Sequence, residues 1–198
     1  DNRQKRVEKL EQISENIDEN MLIRVAAVDG SANIKSKESL VKLINLTKEK
    51  SAISASAKTA IEKIGLPSKE QIPDFIPFLS SEQVSSVKII VLKMFSDMKA
   101  DAKDAVADII VLLKDKNKTV RDSAKEALAN IGTASQAALG RLSDLLDNND
   151  VDIKLRALNE IVEMNAVNQV VEKIEQLQQD PNKEVRKYAQ QIADNLKS

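Results

Sequence analysis

The sequence contains no cysteine, no histidine and no tryptophan among its 198 residues. Without cysteine there are no disulfides, thiolate metal sites or cysteine nucleophiles, and without histidine there is no imidazole-based triad or metal site. Only 2% of the residues are aromatic, which leaves few side chains that could stack on nucleic-acid bases. We therefore expect no cofactor and no metal, and we predict that the protein is not an enzyme.

The charges are almost balanced, with 30 Lys and Arg against 31 Asp and Glu. A net charge of −1 provides no general attraction to nucleic acid or to an anionic membrane. No apolar run approaches the roughly 18 residues needed to cross a bilayer, so we expect no membrane span. The chain begins with Asp1 rather than Met, and we expect that a signal peptide, a tag or a preceding domain has been removed. We expect a soluble protein, either cytoplasmic or exported.

A stripe of apolar residues recurs at intervals of about 33 residues. Val120, Ala124, Leu128 and Ile131 share one face of a helix, because their spacing is i, i+4, i+8 and i+11. Equivalent stripes begin at Ile53, Val87, Ile153 and Val185. Each stripe follows a shorter apolar segment with helical spacing, at residues 40–46, 72–79, 106–113, 139–146 and 170–177. The period thus predicts a series of helix pairs.

The segment VKIIVLKMF, residues 87–95, has seven apolar residues out of nine and could be taken for a buried strand. Its register within the repeat predicts a second helix instead. Residues 1–33 are less regular, with one stripe at Val7, Leu10, Ile13 and Ile17 and a shorter one at Met21, Val25 and Val28. We interpret this segment as a capping repeat.

Residues typical of helix ends mark several of these boundaries. Capping-box spacing is present at Ser68 with Gln71 and at Thr133 with Gln136. Asp180 followed by Pro181 predicts an N-cap with proline at the first helical position. Pro77 should bend the first helix of the third pair. Left-handed C-caps are predicted at Gly30, Gly65 and Gly132.

The segment from Ala105 to Gly132 resembles the HEAT repeat, particularly the short bacterial type first noted in phycobilisome lyases. The matching residues are Leu112-Leu113, Asp115, Val120-Arg121, Ala124, Leu128 and Ile131-Gly132. The last repeat is similar at Asp180, Val185-Arg186 and Ala189, and the fifth at Asp147, Ile153-Lys154 and Ala157.

This resemblance implies an all-α fold, a right-handed α-solenoid (α-α superhelix) of about six stacked helix pairs. First helices would line the convex face and second helices the concave face, and the turn Asp and following Arg would be structural. We expect one domain over residues 1–198, with repeats at 1–33, 34–66, 67–100, 101–133, 134–165 and 166–198.

Acidic clusters are present, but their positions favour turns and helix starts over an active site. Asp101 with Asp104, and Asp147 with Asp150 and Asp152, lie where a helix dipole favours acids. The run NNDVD lacks the loop spacing, the glycine and the terminal glutamate of a calcium-binding EF-hand. We interpret it as a solvated turn.

Two repeats carry apolar residues at positions facing the expected concave side, where their neighbours are polar. The polar reference positions are Asp122 and Lys125, and their apolar equivalents are Ile89, Leu92, Leu155 and Leu158. These residues either lie deeper in the core or form a groove with two apolar pockets for an amphipathic partner helix. Both explanations stay open at this stage.

The sequence therefore favours a non-catalytic adaptor or scaffold that binds another protein through the six residues just named. A first alternative is binding of nucleic acid or another polyanion along a lysine-rich turn edge. That edge comprises Lys48, Lys50, Lys114, Lys116, Lys118 and Lys183. A second alternative is a regulatory segment of a larger protein.

Overall fold

A computed structural model describes residues 2–132, 134 and 138–196. Within these ranges the chain forms twelve α-helices, joined by turns and short 3₁₀ segments, and no β-strand. The prediction of an all-α protein is therefore confirmed. The helices are α1 (Asn2–Glu15), α2 (Met21–Ile34), α3 (Leu40–Leu46), α4 (Ala52–Ile64), α5 (Ile72–Phe75), α6 (Ser85–Met98), α7 (Val106–Val111), α8 (Lys118–Ile131), α9 (Leu139–Leu145), α10 (Val151–Glu163), α11 (Val171–Leu177) and α12 (Lys183–Leu196).

The helices follow one another as first and second members of pairs, and the chain divides into two compact units, residues 1–94 and 95–198. In the first unit α1 packs against α2, α3 against α4, and α2 against α4. In the second unit α7 packs against α8, α9 against α10 and α11 against α12, while α7 contacts α9 and α10 contacts α12. Within each unit these contacts join one helix pair to another, as in the α-solenoid that we predicted. The single domain and its repeat boundaries stay predictions.

The apolar stripes form the core. In the segment VKIIVLKMF, the side chains of Val87, Val91 and Phe95 are 0% exposed, and the segment lies in helix α6 as predicted. In the later pairs the stripe residues that are not buried lie at helix ends, whereas in the first pair Leu10 inside α1 and Val25 inside α2 are only half-buried. Leu196 is 39% exposed at the end of α12, and Ile17 is 79% exposed beyond the end of α1.

Glycine ends two helices as predicted, although with a different conformation. Gly65 and Gly132 follow α4 and α8 with positive φ of 90° and 78°, values that side chains rarely tolerate, but their ψ of −153° and −156° lies outside the left-handed helical region that we predicted. Ser68 and Gln71 form the predicted capping box. Pro77 lies in a 3₁₀ turn, Ile76–Leu79, that interrupts the first helix of its pair after α5. The predicted box at Thr133 and Gln136 lies outside the described residues.

The predicted C-cap at Gly30 is wrong, because Gly30 lies inside α2 and Lys35 caps that helix with a φ of 54°. A methyl group at Gly30 would lie 3.2 Å from the Leu10 side chain. The absence of a side chain at this position therefore lets α1 and α2 approach closely.

A two-step polar turn links the helices of each pair in the second unit, and we call it the paired Asx turn. In its last copy Asp180 accepts a hydrogen bond from the Asn182 N–H at 2.8 Å, and Asn182 caps α12 by accepting from the Glu184 N–H at 2.8 Å. The predicted N-cap at Asp180 is therefore wrong by two residues. Asp115 with Asn117, and Asn148 with Asp150, make the same bonds before α8 and α10.

The arginine that follows the turn closes it. Arg121 donates to the Asp115 carbonyl at 2.7 Å, and Arg186 donates to the Asp180 carbonyl at 2.7 Å. In the fifth repeat we predicted Asp147 as the first residue of this turn, but Asn148 accepts the hydrogen bond there. The Asp147 carboxylate instead pairs with Lys173. The Asp and Arg of the repeat are thus structural groups, as the resemblance implied.

Hydrogen bonds and ion pairs of buried charged side chains connect the irregular first helix pair with the second helix pair. The Arg24 side chain, 3% exposed, donates to both Glu49 carboxylate oxygens at 2.6 and 3.1 Å and to the Ser14 carbonyl at 2.8 Å. Glu11 accepts from Ser39 and from Lys42, each at 2.7 Å. These bonds connect α1, α2 and the α3–α4 pair.

Candidate interaction surface on the second helices

Of the six residues predicted to contact a partner, four keep accessible surface. Asp122 and Lys125 are exposed on α8, whereas Leu155 on α10 and Ile89 on α6 are half-buried. Leu92 and Leu158 are 0% exposed and belong to the core. These two leucines therefore lie in the core and do not line a groove for a partner helix.

The burial of Leu158 follows from the position of its helix. Helix α10 contacts α7, α9 and α12, so residues beside its main stripe are also covered. Helix α8 leaves more of its surface accessible. There Asp122 lies 2.6 Å from Lys118 and 4.0 Å from Lys125, and the Lys118 ammonium lowers the pKa of the Asp122 carboxyl.

The six lysines predicted for a polyanion are all exposed, but several contact other side chains. Lys114 pairs with Asp152 at 2.6 Å and with Asp150 at 3.5 Å, and Lys118 pairs with Asp122. In the first unit the Lys48 ammonium lies 5.4 Å from the centre of the Phe78 ring. In the second unit, Asp122, Asp150 and Asp152 therefore offset part of the basic charge.

The acidic cluster at Asp147, Asp150 and Asp152 provides a helix cap and ion-pair partners. Asp150 caps α10, Asp152 pairs with Lys114, and Asp147 pairs with Lys173. Among the described residues, no group of three or more Asp and Glu side chains is arranged to hold a metal ion. Across the same residues, no helix combines the length and the apolar character needed to cross a membrane.

The second helices of the last two pairs enclose a depression that we call the α10–α12 hollow. It consists of a recess of about 210 Å³ and a wider, adjoining depression of about 450 Å³. The apolar residues that line the recess include Val162 and Leu196, which are 38% and 39% exposed. Three asparagines, Asn165, Asn168 and Asn195, also line it, and the wider part is lined by Tyr188, Gln191, Asp194 and residues shared with the recess.

Two helix C-termini and one acidic side chain lie at the hollow. Helices α10 and α12 both end there, and neither has a basic residue in its last turn to balance the partial negative charge of its terminal carbonyls. Asp194 lines the hollow and accepts a hydrogen bond from Gln190 at 2.8 Å. Burial raises the pKa of the Tyr188 hydroxyl, and the nearby Glu163 carboxylate raises this pKa further.

Sequence reasoning assigned Leu196 to the core and missed the hollow. The asparagines at 165, 168 and 195, close to the ends of two apolar stripes, were the available signal. A second exposed apolar surface was also missed, at the junction of α1 and α2. Ile17, Leu22 and Ile23 are 79%, 78% and 48% exposed there.

Comparison with protein-family models identifies the type of repeat in the central part of the chain. Residues 72–161 match the family model of HEAT repeats, which confirms the predicted resemblance over that range. HEAT and armadillo-like repeats generally mediate protein–protein interactions and are typically non-catalytic scaffolds. The finer likeness to the phycobilisome-lyase type stays a prediction.

Similar solved structures include engineered repeat proteins. One engineered protein is 19% identical, with a TM-score of 0.41, over 96% of this chain and 96% of that chain. A designed armadillo repeat protein in complex with the peptide (KR)4 is 18% identical, with a TM-score of 0.42, over 94% of this chain and 97% of that chain. At these values the likeness carries no argument about partners. Comparison with curated proteins gives no match.

Proposed function

We propose that this protein is a non-catalytic interaction module, an adaptor or scaffold, that binds a partner polypeptide on the exposed face of its second helices. The match of residues 72–161 to HEAT repeats carries the proposal, because interaction with proteins is the general role of such repeats. Exposed Asp122 and Lys125 on α8 and half-buried Leu155 on α10 supply polar and apolar contacts on this face.

The exposed apolar side chains of the second unit support the same face. Val162 and Leu196, on second helices, keep more than a third of their surface accessible at the α10–α12 hollow. Partly exposed apolar groups surrounded by polar ones are typical of sites that bind other proteins.

Site-specific photo-crosslinking in cells that express the protein tests the proposal. A benzophenone amino acid is placed at exposed second-helix positions, Lys125 and Gln191, and at exposed first-helix positions, Asp144 and Glu175. We expect a discrete crosslinked product from the second-helix positions and none from the matched first-helix positions. Equal crosslinking from both sets, or products only from the first helices, would contradict the proposed face.

The polyanion alternative makes a different prediction, namely affinity that falls steeply with salt. The ion pairs of Lys114 and Lys118 weaken it, because a phosphate would have to compete with carboxylates already in contact with these lysines. The second alternative, a regulatory segment of a larger protein, stays a prediction.

A further inference from the structure

We propose that the exposed apolar surface at the junction of α1 and α2 docks an amphipathic segment of a partner polypeptide, in which lysine or arginine flanks the apolar residues. We call this surface the α1–α2 patch, and it consists of Ile17, Met21, Leu22 and Ile23. The patch includes none of the residues that carry the proposed function, and the inference does not depend on that function. The exposure of the patch, the order of its turn and its charged neighbours carry the inference.

Exposed apolar side chains are concentrated in the patch. Eight large apolar side chains are exposed among the described residues, and four of them lie within residues 17–23. The other four are spread over residues 84–196. Ile17 and Leu22 keep 79% and 78% of their surface accessible. Single exposed apolar residues are ordinary on a protein surface, whereas contiguous groups of them mark interaction sites.

The turn that carries the patch is anchored to the rest of the first unit. The Asn20 side chain caps α2 by accepting a hydrogen bond from the Leu22 N–H at 2.9 Å. Successive residues of a helix point about 100° apart, so exposure of residues 21–23 leaves the first turn of α2 uncovered on most sides. The next residue, Arg24, is buried and bound to Glu49. A partner therefore meets apolar side chains on an already folded turn, which lowers the entropy cost of binding.

The charged side chains beside the patch favour a cationic partner. Glu15, Asp18 and Glu19 place three carboxylates at the junction of the two helices. The one basic residue within residues 10–34 is Arg24, which is 3% exposed and held in an ion pair. Charges at the edge of an interface select and steer partners of opposite charge. Lysine or arginine next to the apolar residues of the partner would complement these carboxylates.

Basic residues of the second helix pair leave these carboxylates accessible to a further cation. Lys42 lies 2.7 Å from Glu11 and 3.9 Å from Glu15, so its main partner is Glu11. The exposed Lys50 follows Glu49 on the neighbouring turn, where the charge is therefore mixed. The contact between Glu15 and Lys42 is long enough for a closer cationic group of a partner to replace it.

The same charges disfavour two other occupants of the patch. Apolar side chains that enter a membrane interface are usually accompanied by exposed lysine and arginine, which residues 10–34 do not provide. A second copy of the chain, docked symmetrically on the same patch, would bring like carboxylates together. A partner polypeptide with basic residues beside its apolar ones has neither disadvantage.

The test uses three helical peptides of about 18 residues, which make about five turns. The first has leucine on one face and lysine on the other, the second has glutamate at each lysine position, and the third distributes the leucines and lysines of the first evenly around the helix. Each is titrated into the isotopically labelled full chain and followed by NMR. We expect the first peptide to shift the methyl signals of the patch and to bind about tenfold more tightly than the other two.

A first pair of variants tests the apolar contact. Leu22→Gln should lower the affinity for the first peptide about tenfold, because a leucine side chain no longer becomes buried on binding. Val84→Gln is the matched control, since Val84 is 51% exposed outside the patch, and affinity should stay within about twofold. Both replaced side chains are exposed, so both variants should fold as the wild type does.

A second pair of variants tests the charges. Asp18→Asn with Glu19→Gln removes two carboxylates beside the patch, and we expect about a threefold to tenfold loss of affinity for the first peptide. Asp144→Asn with Glu175→Gln removes two exposed carboxylates from α9 and α11, and affinity should stay within about twofold. The two double variants have the same net charge, so a difference between them reports the local charges.

Equal effects within either pair of variants, equal binding of the three peptides, or shifts confined to residues outside the patch would overturn the inference. Patch signals that move on dilution without peptide would identify a second copy of the chain as the occupant. Patch signals that broaden with vesicles of phosphatidylcholine and phosphatidylserine, and do not respond to the first peptide, would identify a membrane surface instead. Either result would contradict a basic polypeptide partner. The crosslinking experiment probes other residues, so failure of the proposed function would appear there separately.

Discussion

Replacing Arg24 with methionine should destabilise the first helix pair by about 2–4 kcal/mol. The substitution keeps an unbranched side chain in a site that is 3% exposed, and removes three hydrogen bonds donated by a charged group. The buried Ser14 carbonyl then lacks its Arg24 donor, which costs about 1–3 kcal/mol. The Glu49 side chain is 32% exposed and regains water, so the lost ion pair adds only about 1 kcal/mol.

Urea unfolding followed by circular dichroism measures the loss in free energy of unfolding, and hydrogen exchange measures where it occurs. Because each repeat contacts only its neighbours, the amides of α1 and α2 should lose protection while those of α11 and α12 keep it. Arg6→Met is the matched control, since Arg6 is exposed on α1, and it should change stability by less than about 0.5 kcal/mol. A loss for Arg24→Met no larger than that of the control would refute the argument that buried charges fasten the first pair.

Three further predictions concern a cap, the core and a buried acid. Gly65→Ala should lower the free energy of unfolding by about 1–3 kcal/mol, because φ of 90° with ψ of −153° is accessible essentially to glycine alone. The control Gly140→Ala, inside α9, should be neutral or stabilising by up to about 1 kcal/mol in the same urea titration. Leu158→Ala should cost about 2–5 kcal/mol and Leu155→Ala about 1 kcal/mol, and equal losses would show that Leu158 is not in the core. Burial raises the pKa of the Glu160 carboxyl above 4.5, so ionisation of this carboxyl lowers the free energy of unfolding as pH rises above that value. The free energy of unfolding of Glu160→Gln, relative to that of wild type, should therefore be higher at pH 7 than at pH 4. A difference that is independent of pH would contradict the raised pKa.

Helix positions could be predicted from the sequence because they depend on local spacing. The stripe from Val120 to Ile131 is buried as its period requires, and the segment from Val87 to Phe95 is helical as its register in the repeat predicted. Gly30 could not be distinguished from Gly65 and Gly132 in this way. Its role depends on the close approach of Leu10 from another helix, which the local pattern does not contain.

The candidate surface was predicted less well because exposure depends on neighbours. Leu158 and Lys125 hold equivalent positions in their repeats, but α10 has three helical neighbours that cover Leu158. Leu196 continues an apolar stripe and still contributes to a depression, because it lies at the end of α12. The apolar period alone does not show where a stripe continues beyond the neighbouring helices that would cover it.

The paired Asx turn also has a kinetic consequence. Its bonds in the second unit connect residues no more than six positions apart, as from Arg121 to Asp115 and from Arg186 to Asp180. Contacts this local can form before distant parts of the chain meet, and chains rich in them fold quickly. Residues 115–121, 148–154 and 180–186 are therefore three separate places from which folding can start, and damage to one leaves the other two able to nucleate their own helices.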